Sequence, residues 1–196
     1  MEYIKGRKNS GLTFHPTSDF SIFAYSDASY AACSTTRKST TGKAVFINNN
    51  LLTFGSKKQS IVAMSSCESE MIAIQDTAAD VMELRHILDE LTGKKPPPSI
   101  IYTDSQSAMS LIKNGRPSGR SRARHIDLRQ FKIREWIREG FIELLYVPSN
   151  ENIADLFTKP LPAAQFQRLR DRLLSSNPHL EISSQLSEIT TCAGGC

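Results

Sequence analysis

Apolar residues along this chain change their period several times, and each change marks an element. Residues Phe20 to Tyr25 (FSIFAY) and Lys43 to Asn48 (KAVFIN) are rich in β-branched and aromatic side chains. Asn48 to Asn50 read as a turn into LLTFGSKKQ, so the pattern predicts three strands in succession, a meander. The period then lengthens. Met71, Ile74, Ala78, Val81, Leu84, Leu88 and Leu91 recur every three or four positions, the stripe of one long helix that Gly93 and the prolines after it should end. Ser65 and Glu68 have the spacing of a capping box at its start.

A fourth strand, SIIYTD, follows the prolines, and then a short helix containing Ala108, Leu111 and Ile112. His125 to Glu139 reads as a helix ended by Gly140, FIELLYVP as a fifth strand, and SNENIADLFTK as a helix opening near Asn150. PAAQFQRLRDRLL adds a last helix with Pro162 in its first turn. The order βββαβααβα implies an α/β sheet that combines an antiparallel meander with parallel crossovers. We therefore expect a domain over residues 20–160, a C-terminal helix over 161–175 and a weakly ordered, Ser-rich tail over 176–196.

Composition narrows the class. With 196 residues, 39% hydrophobic and 22% charged, the chain suits one compact domain around a single core. It has no apolar run near the roughly 20 residues that span a bilayer, and its polar start MEYIKGRKNS does not read as a signal peptide. Cys33, Cys67, Cys192 and Cys196 form no paired framework or zinc pattern, so they are expected as free thiols in a reducing compartment. The net charge of +4 is unevenly placed. Lys113 to Glu139 holds nine Lys and Arg against three Asp and Glu, a net +6, and leaves −2 for the remainder. Its densest part, GRPSGRSRARH, suits phosphates, although a charge run alone is more often a solvated surface. Trp136 and Phe131 are expected in the core rather than as base-stacking platforms.

Four acids stand at element ends. Asp104 closes the apolar strand SIIYT, and Asp27 follows a similar approach in FAYSDASY. Glu70 lies about one turn into the long helix, and Asp155 about one turn into the helix near Asn150. An acid at the carboxyl end of a buried parallel strand points into a crevice. Any one of these acids could be a cap or a turn residue. Four from separate elements, if they converge, would raise one another's pKa unless a cation stood among them. Oxygen-only ligation suits Mg²⁺ or Mn²⁺, and two such ions about 3.5–4 Å apart support phosphoryl displacement.

The set YSDASY, RKSTTGKAVF, SKKQSIVAMSSCESEMIAI, IIYTDSQSA, RHIDLRQFKIRE and NIADLFTKPL resembles the ribonuclease H domain of copia-type LTR retrotransposon Pol polyproteins, over about Tyr3 to Leu174. Residues 1–19 then look like a linker remnant from a reverse transcriptase, and the chain like a piece of a longer polyprotein. The resemblance implies a five-stranded sheet in the order 3-2-1-4-5 with helices on both faces, and cleavage of the RNA strand of RNA–DNA hybrids with two Mg²⁺ or Mn²⁺ ions. It assigns the catalytic, metal-binding acids to Asp27, Glu70, Asp104 and Asp155. Glu70 is preferred over Glu68, which the capping box already occupies.

By the same resemblance, Ala28, Ser29, Ser105 and Gln106 would meet the RNA 2′-hydroxyls, the group that separates RNA from DNA. Ser65, Ser66, Arg120, Arg122 and Arg124 would hold the DNA strand, with helix capping an equally good account of the two serines. Many ribonucleases H carry a histidine in the loop before the last acid, whereas this loop reads VPSNEN, which bears on product release. His125 is not expected to replace it. Expected partners are the hybrid and the polyprotein's reverse transcriptase, with no membrane, in the cytoplasm, in virus-like particles or in the nucleus. The alternatives are a silent nucleic-acid-binding remnant of the same domain, and an integrase or transposase, against which TDSQSA and RKSTTGK speak. An acid on the far side of the sheet, or a lysine or arginine plugging the pocket, would end the nuclease reading.

Overall fold

The computed structural model describes residues 11–16, 20–114 and 124–174, with residues 124–130 as backbone only. Strand β1 (Ile22–Ser29) is followed by β2 (Thr40–Ile47) and β3 (Asn50–Lys58), then by helix α1 (Ser66–Thr92). Strand β4 (Ser99–Thr103), helices α2 (Gln106–Asn114) and α3 (Arg124–Arg138) and strand β5 (Ile142–Tyr146) come next. Two 3₁₀ turns, Ser149–Glu151 and Ile153–Phe157, precede the last helix, α4 (Ala163–Leu174). The sheet runs β3-β2-β1-β4-β5, antiparallel within the meander and parallel from β1 to β4 to β5, as expected.

The meander turns where the sequence indicated. Asn48 and Asn49 both take positive φ, 46° and 67°, and Ile47 pairs with Asn50, which makes a two-residue hairpin of the primed type. Asparagine tolerates this region better than most residues, and Asn48 Oδ1 also accepts from the Ser21 amide at 2.8 Å.

Strand β1 occupies the middle of the sheet and is buried on both faces. Its period of two sends Ile22 and Ala24 to one face, where α1, α2 and α3 supply Ile74, Ala78, Val81, Ala108, Ile112 and Ile133. Phe23 and Tyr25 go to the other, where Ile153, Ala154 and Leu173 of the 3₁₀ turn and α4 cover them. The single expected core is thus divided by the sheet into two layers. Among the described residues no helix is long and apolar enough to cross a membrane. Cys33 and Cys67 are free thiols; Cys192, Cys196 and the 176–196 tail lie outside the described residues, as does most of the 1–19 segment.

Helix α1 begins as its cap predicts, with Ser65 Oγ accepting from the Glu68 amide at 3.1 Å. Glu68 reaches back to the Met64 amide rather than to Ser65, so its carboxylate serves the helix start. Gly93, at φ 64°, closes the helix through its amide to Asp89 O at 2.8 Å. The predicted stripe is buried up to Leu88, whereas Leu91, in the last turn, is exposed.

Two other expectations change. The helix expected near Asn150 is a pair of 3₁₀ turns, because the Asn152 side chain caps the second turn and interrupts the run. Phe131 is exposed at 54%, whereas Trp136 packs against the core.

Arg85 of α1 fixes the proline-rich connection into β4. Its guanidinium donates to Ser99 Oγ and to Pro96 O, both at 2.9 Å, and also to Pro97 O. Proline offers no amide to organise such a loop, so its carbonyls need an outside donor. Arg85→Met should lower the unfolding free energy by about 1–3 kcal/mol in urea titration, because it leaves buried acceptors unpaired. A variant within error of wild type would refute this anchoring role.

Candidate metal centre

The parallel pairing of β1 with β4 matches Tyr25 to Tyr102. Two residues further on, Asp27, still within β1, and Asp104, just past β4, stand together near the carboxyl ends of the two strands. Asp27 is buried on β1, and Asp104 follows directly after β4. Asp155 is buried in the second 3₁₀ turn. One carboxylate oxygen from each of Asp27, Asp104 and Asp155 lies within 4.8 Å of the other two. Glu70 stands outside that trio. It enters from the first turns of α1, its Oε1 accepting from the Ala28 amide at 3.3 Å. The four acids picked from the sequence therefore converge on one end of the sheet.

Their positions depend on neighbours that the sequence reading left without a role. Asn152 is wholly buried and donates from Nδ2 to Ser26 O at 3.0 Å, while its Oδ1 accepts from the Ala154 amide at 3.1 Å. This one side chain ties the turn that carries Asp155 to the strand that carries Asp27. Gly42 lies opposite Asp27 in the β1–β2 register. A Cβ there would stand 2.5 Å from Thr158 Cγ2 and 2.7 Å from Ala154 O, so only glycine admits the turn. Glycine within the β-branched run of RKSTTGKAVF was the available signal. Thr158 Oγ1 donates to Asp27 Oδ2, and Ser149 Oγ to Asp104 Oδ2.

The electrostatics are those of crowded, half-neutralised carboxylates. Burial, then the charges of Asp27 and Asp104, push Glu70 from 4.5 up to about 9, against the Ala28 amide. Burial likewise raises Asp155, opposed by Lys159. Glu70 Oε2 is buried without a hydrogen-bond donor, and the buried Asp155 Oδ1 meets the Lys159 ammonium. Lys159 Nζ lies 2.9 Å from Asp155 Oδ1 and 3.9 Å from Asp27 Oδ2, so a lysine does reach the pocket from its rim. All-oxygen, crowded and only partly neutralised by Lys159, this set fits a hard divalent cation.

A groove beside the acids is lined by Ser66, Glu70, Asp104, Ser105, Gln106 and Ser107. Three of the residues expected to meet nucleic acid, Ser66, Ser105 and Gln106, are therefore brought to the acids. Ser65 is engaged as the α1 cap, the Ala28 amide is taken by Glu70, and Ser29 ends β1 half-buried. Arg120 and Arg122 lie outside the described residues, and the Arg124 and His125 side chains are not described.

No protein-family model matches the chain. It is 34% identical over 171 residues to the Retrovirus-related Pol polyprotein from transposon TNT 1-94 of Nicotiana tabacum, across 87% of this chain and 13% of that protein. To the Pol polyprotein from transposon RE1 of Arabidopsis thaliana it is 30% identical over 173 residues, 88% of this chain and 12% of the relative. The chain thus spans only about an eighth of the length of these curated relatives. Among solved structures it resembles LC11-RNase H1 in complex with RNA/DNA hybrid, with a TM-score of 0.50, 15% identity and coverage of 70% and 93% of the two chains. It also resembles the N-terminal RNase H domain of a Mycobacterium tuberculosis protein, with a TM-score of 0.51, 10% identity and coverage of 78% and 98%. At these identities the structural likeness establishes the fold.

Two outcomes follow from the geometry. Because folding raises the Glu70 pKa, the stability tied to its protonated form is full below about 4.5 and is lost as pH rises towards about 9. In chelator, Glu70→Gln should therefore melt above wild type by a margin that widens across that window; parallel melting curves at all pH values would contradict this. Gly42→Ala should push away the turn bearing Asp155 and weaken Mn²⁺ binding by about 10–100-fold in calorimetric titration, the usual cost of disturbing a ligand's support.

Proposed function

Homologous over 88% of its length to copia-type Pol polyproteins and folded as a ribonuclease H, the chain belongs to that retrotransposon family, and we propose that it is a metal-dependent endoribonuclease acting on the RNA strand of RNA–DNA hybrids. The observation that carries this reading is the convergence of Asp27, Asp104 and Asp155 within 4.8 Å, with Glu70 alongside and its buried Oε2 lacking a donor. Asp27 and Asp104 would be the principal ligands of two Mg²⁺ or Mn²⁺ ions, with Glu70 and Asp155 completing the sites. When bound, the ions would polarise the scissile phosphate and ease deprotonation of the attacking water.

The chain's own residues bind and orient. Ser105 and Gln106, next to Asp104 in the groove, would meet a ribose edge, where the 2′-hydroxyl distinguishes RNA. Ser66, in the first turn of α1, adds the helix N-terminus, a natural seat for a backbone phosphate. Lys113, Arg134 and Arg138 line a basic hollow at the α2–α3 end of the domain, which favours a polyanion without reading its sequence. The hybrid and the polyprotein's reverse transcriptase are the proposed partners, in the cytoplasm, in virus-like particles or in the nucleus.

One observation favours the second reading, a silent nucleic-acid-binding remnant: the Lys159 ammonium beside Asp155 and Asp27 already neutralises part of the cluster. A single assay separates the two. With labelled RNA–DNA hybrid, duplex DNA and single-stranded RNA, in Mg²⁺, Mn²⁺ or chelator, the nuclease should cut only the hybrid, only with metal, and fall to background as Asp104→Asn. Retained binding with no cleavage in any metal would establish the remnant.

A further inference from the structure

Lys159 is the cation that the described residues bring to the acid cluster. It sits four residues beyond Asp155, and its amide bonds back to Asp155 O at 3.4 Å, so its backbone is fixed to the turn that presents the acid. The side chain is less enclosed. It is 40% exposed while Asp155 and Asp27 are almost fully enclosed, so the ammonium enters from solvent and can return there along the same path. Its Nζ lies 2.9 Å from the buried Asp155 Oδ1 and 3.9 Å from Asp27 Oδ2. These are two of the three oxygen-bearing groups that a divalent ion would take.

We propose that Lys159 is the tethered counter-ion of the empty-handed acid cluster, and that a divalent ion binds by exchanging with it. The proposal rests on the metal-dependent reading above. Asp27, Asp104 and Asp155 converge in a partly desolvated pocket and repel one another, and a positive charge among them offsets that repulsion when no metal is bound. A lysine suits this exchange. Its ammonium is a compact point charge on a flexible stem, whereas an arginine fork would bind the carboxylates in a two-pronged geometry that is harder to displace. The exchange makes ion binding and release less unequal in energy, because the site is never left uncompensated.

Thermodynamic linkage gives a signature that an ordinary stabilising contact would not produce. In chelator, Lys159→Met loses the internal cation and should melt about 2–4 °C below wild type. At saturating Mg²⁺ the lysine is out of the site in either case, so the two melting temperatures should converge. The Mn²⁺ dissociation constant of Lys159→Met, measured by calorimetry, should be tighter by on the order of tenfold, since no competitor remains. Lys159→Arg, which keeps the charge, should melt no lower than wild type in chelator. A melting gap that persists unchanged at saturating Mg²⁺, or no gap in chelator, would overturn the exchange. If neither wild type nor Lys159→Met responds to Mg²⁺ or Mn²⁺ at all, the metal-dependent reading fails and the exchange falls with it. A shared response to metal with a persistent gap sinks the exchange alone.

Discussion

The mutual repulsion of four carboxylates is the constraint around which this end of the molecule is built. Asp27 and Asp155 are almost wholly enclosed, and Glu70 is driven to about 9 by burial and by its acidic neighbours. Charges so placed would separate if their backbones could move. They cannot, because each is held by a contact that has nothing to do with the charge itself. Asp27 belongs to a central strand paired on both sides, Glu70 to a helix capped one turn earlier by Ser65, and Asp155 to a turn fastened to β1 through Asn152. Thr158 and Ser149 then donate to Asp27 and Asp104, which lowers the charge density without supplying a full positive charge.

Two apolar layers make that rigidity possible. Aromatic packing is densest under β1, where the rings of Phe23 and Phe46 stack at 4.7 Å and those of Tyr25 and Tyr102 at 5.0 Å. Tyr25 and Tyr102 are also the last registered pair between β1 and β4, two residues before Asp27 and Asp104. The core layer therefore ends where the acids begin, and the carboxyl ends of β1 and β4 are stiff up to the last residue before the charge.

Much of this was legible in the residues, for identifiable reasons. The strands, the long helix and their order are written in hydrophobic period and in turn residues such as Asn48, Asn49 and Gly93, which act locally. The acids were legible because a charge closing an apolar strand breaks its pattern. What escaped depends on contacts between distant segments. Gly42 appeared only as a glycine in a strand, because the turn that needs its missing Cβ arrives more than a hundred residues later. Asn152 looked like part of a helix start, and only the folded chain shows it spanning from its own turn to Ser26, so the expected α-helix became 3₁₀. Phe131 fits a helical stripe by spacing yet lies exposed, since amphipathic period alone does not say which flank of the stripe a neighbour covers.

The acids also reach the site from both sides of the sheet. Glu70 comes from α1, whose apolar stripe belongs to one layer, and Asp155 comes from the turn whose Ile153 and Ala154 belong to the other. Asp27 and Asp104 project from the sheet between them. A site that straddles the sheet in this way cannot be approached through either face, because each is covered by helices or turns. It is open only at the carboxyl ends of β1 and β4, and the groove lined by Ser66, Ser105 and Gln106 lies on the α1 side of that opening. Lys159 stands on the opposite rim, beside Asp155. The acids are thus bounded by hydroxyls and an amide on one side and by a partly exposed ammonium on the other, so the two rims differ in charge.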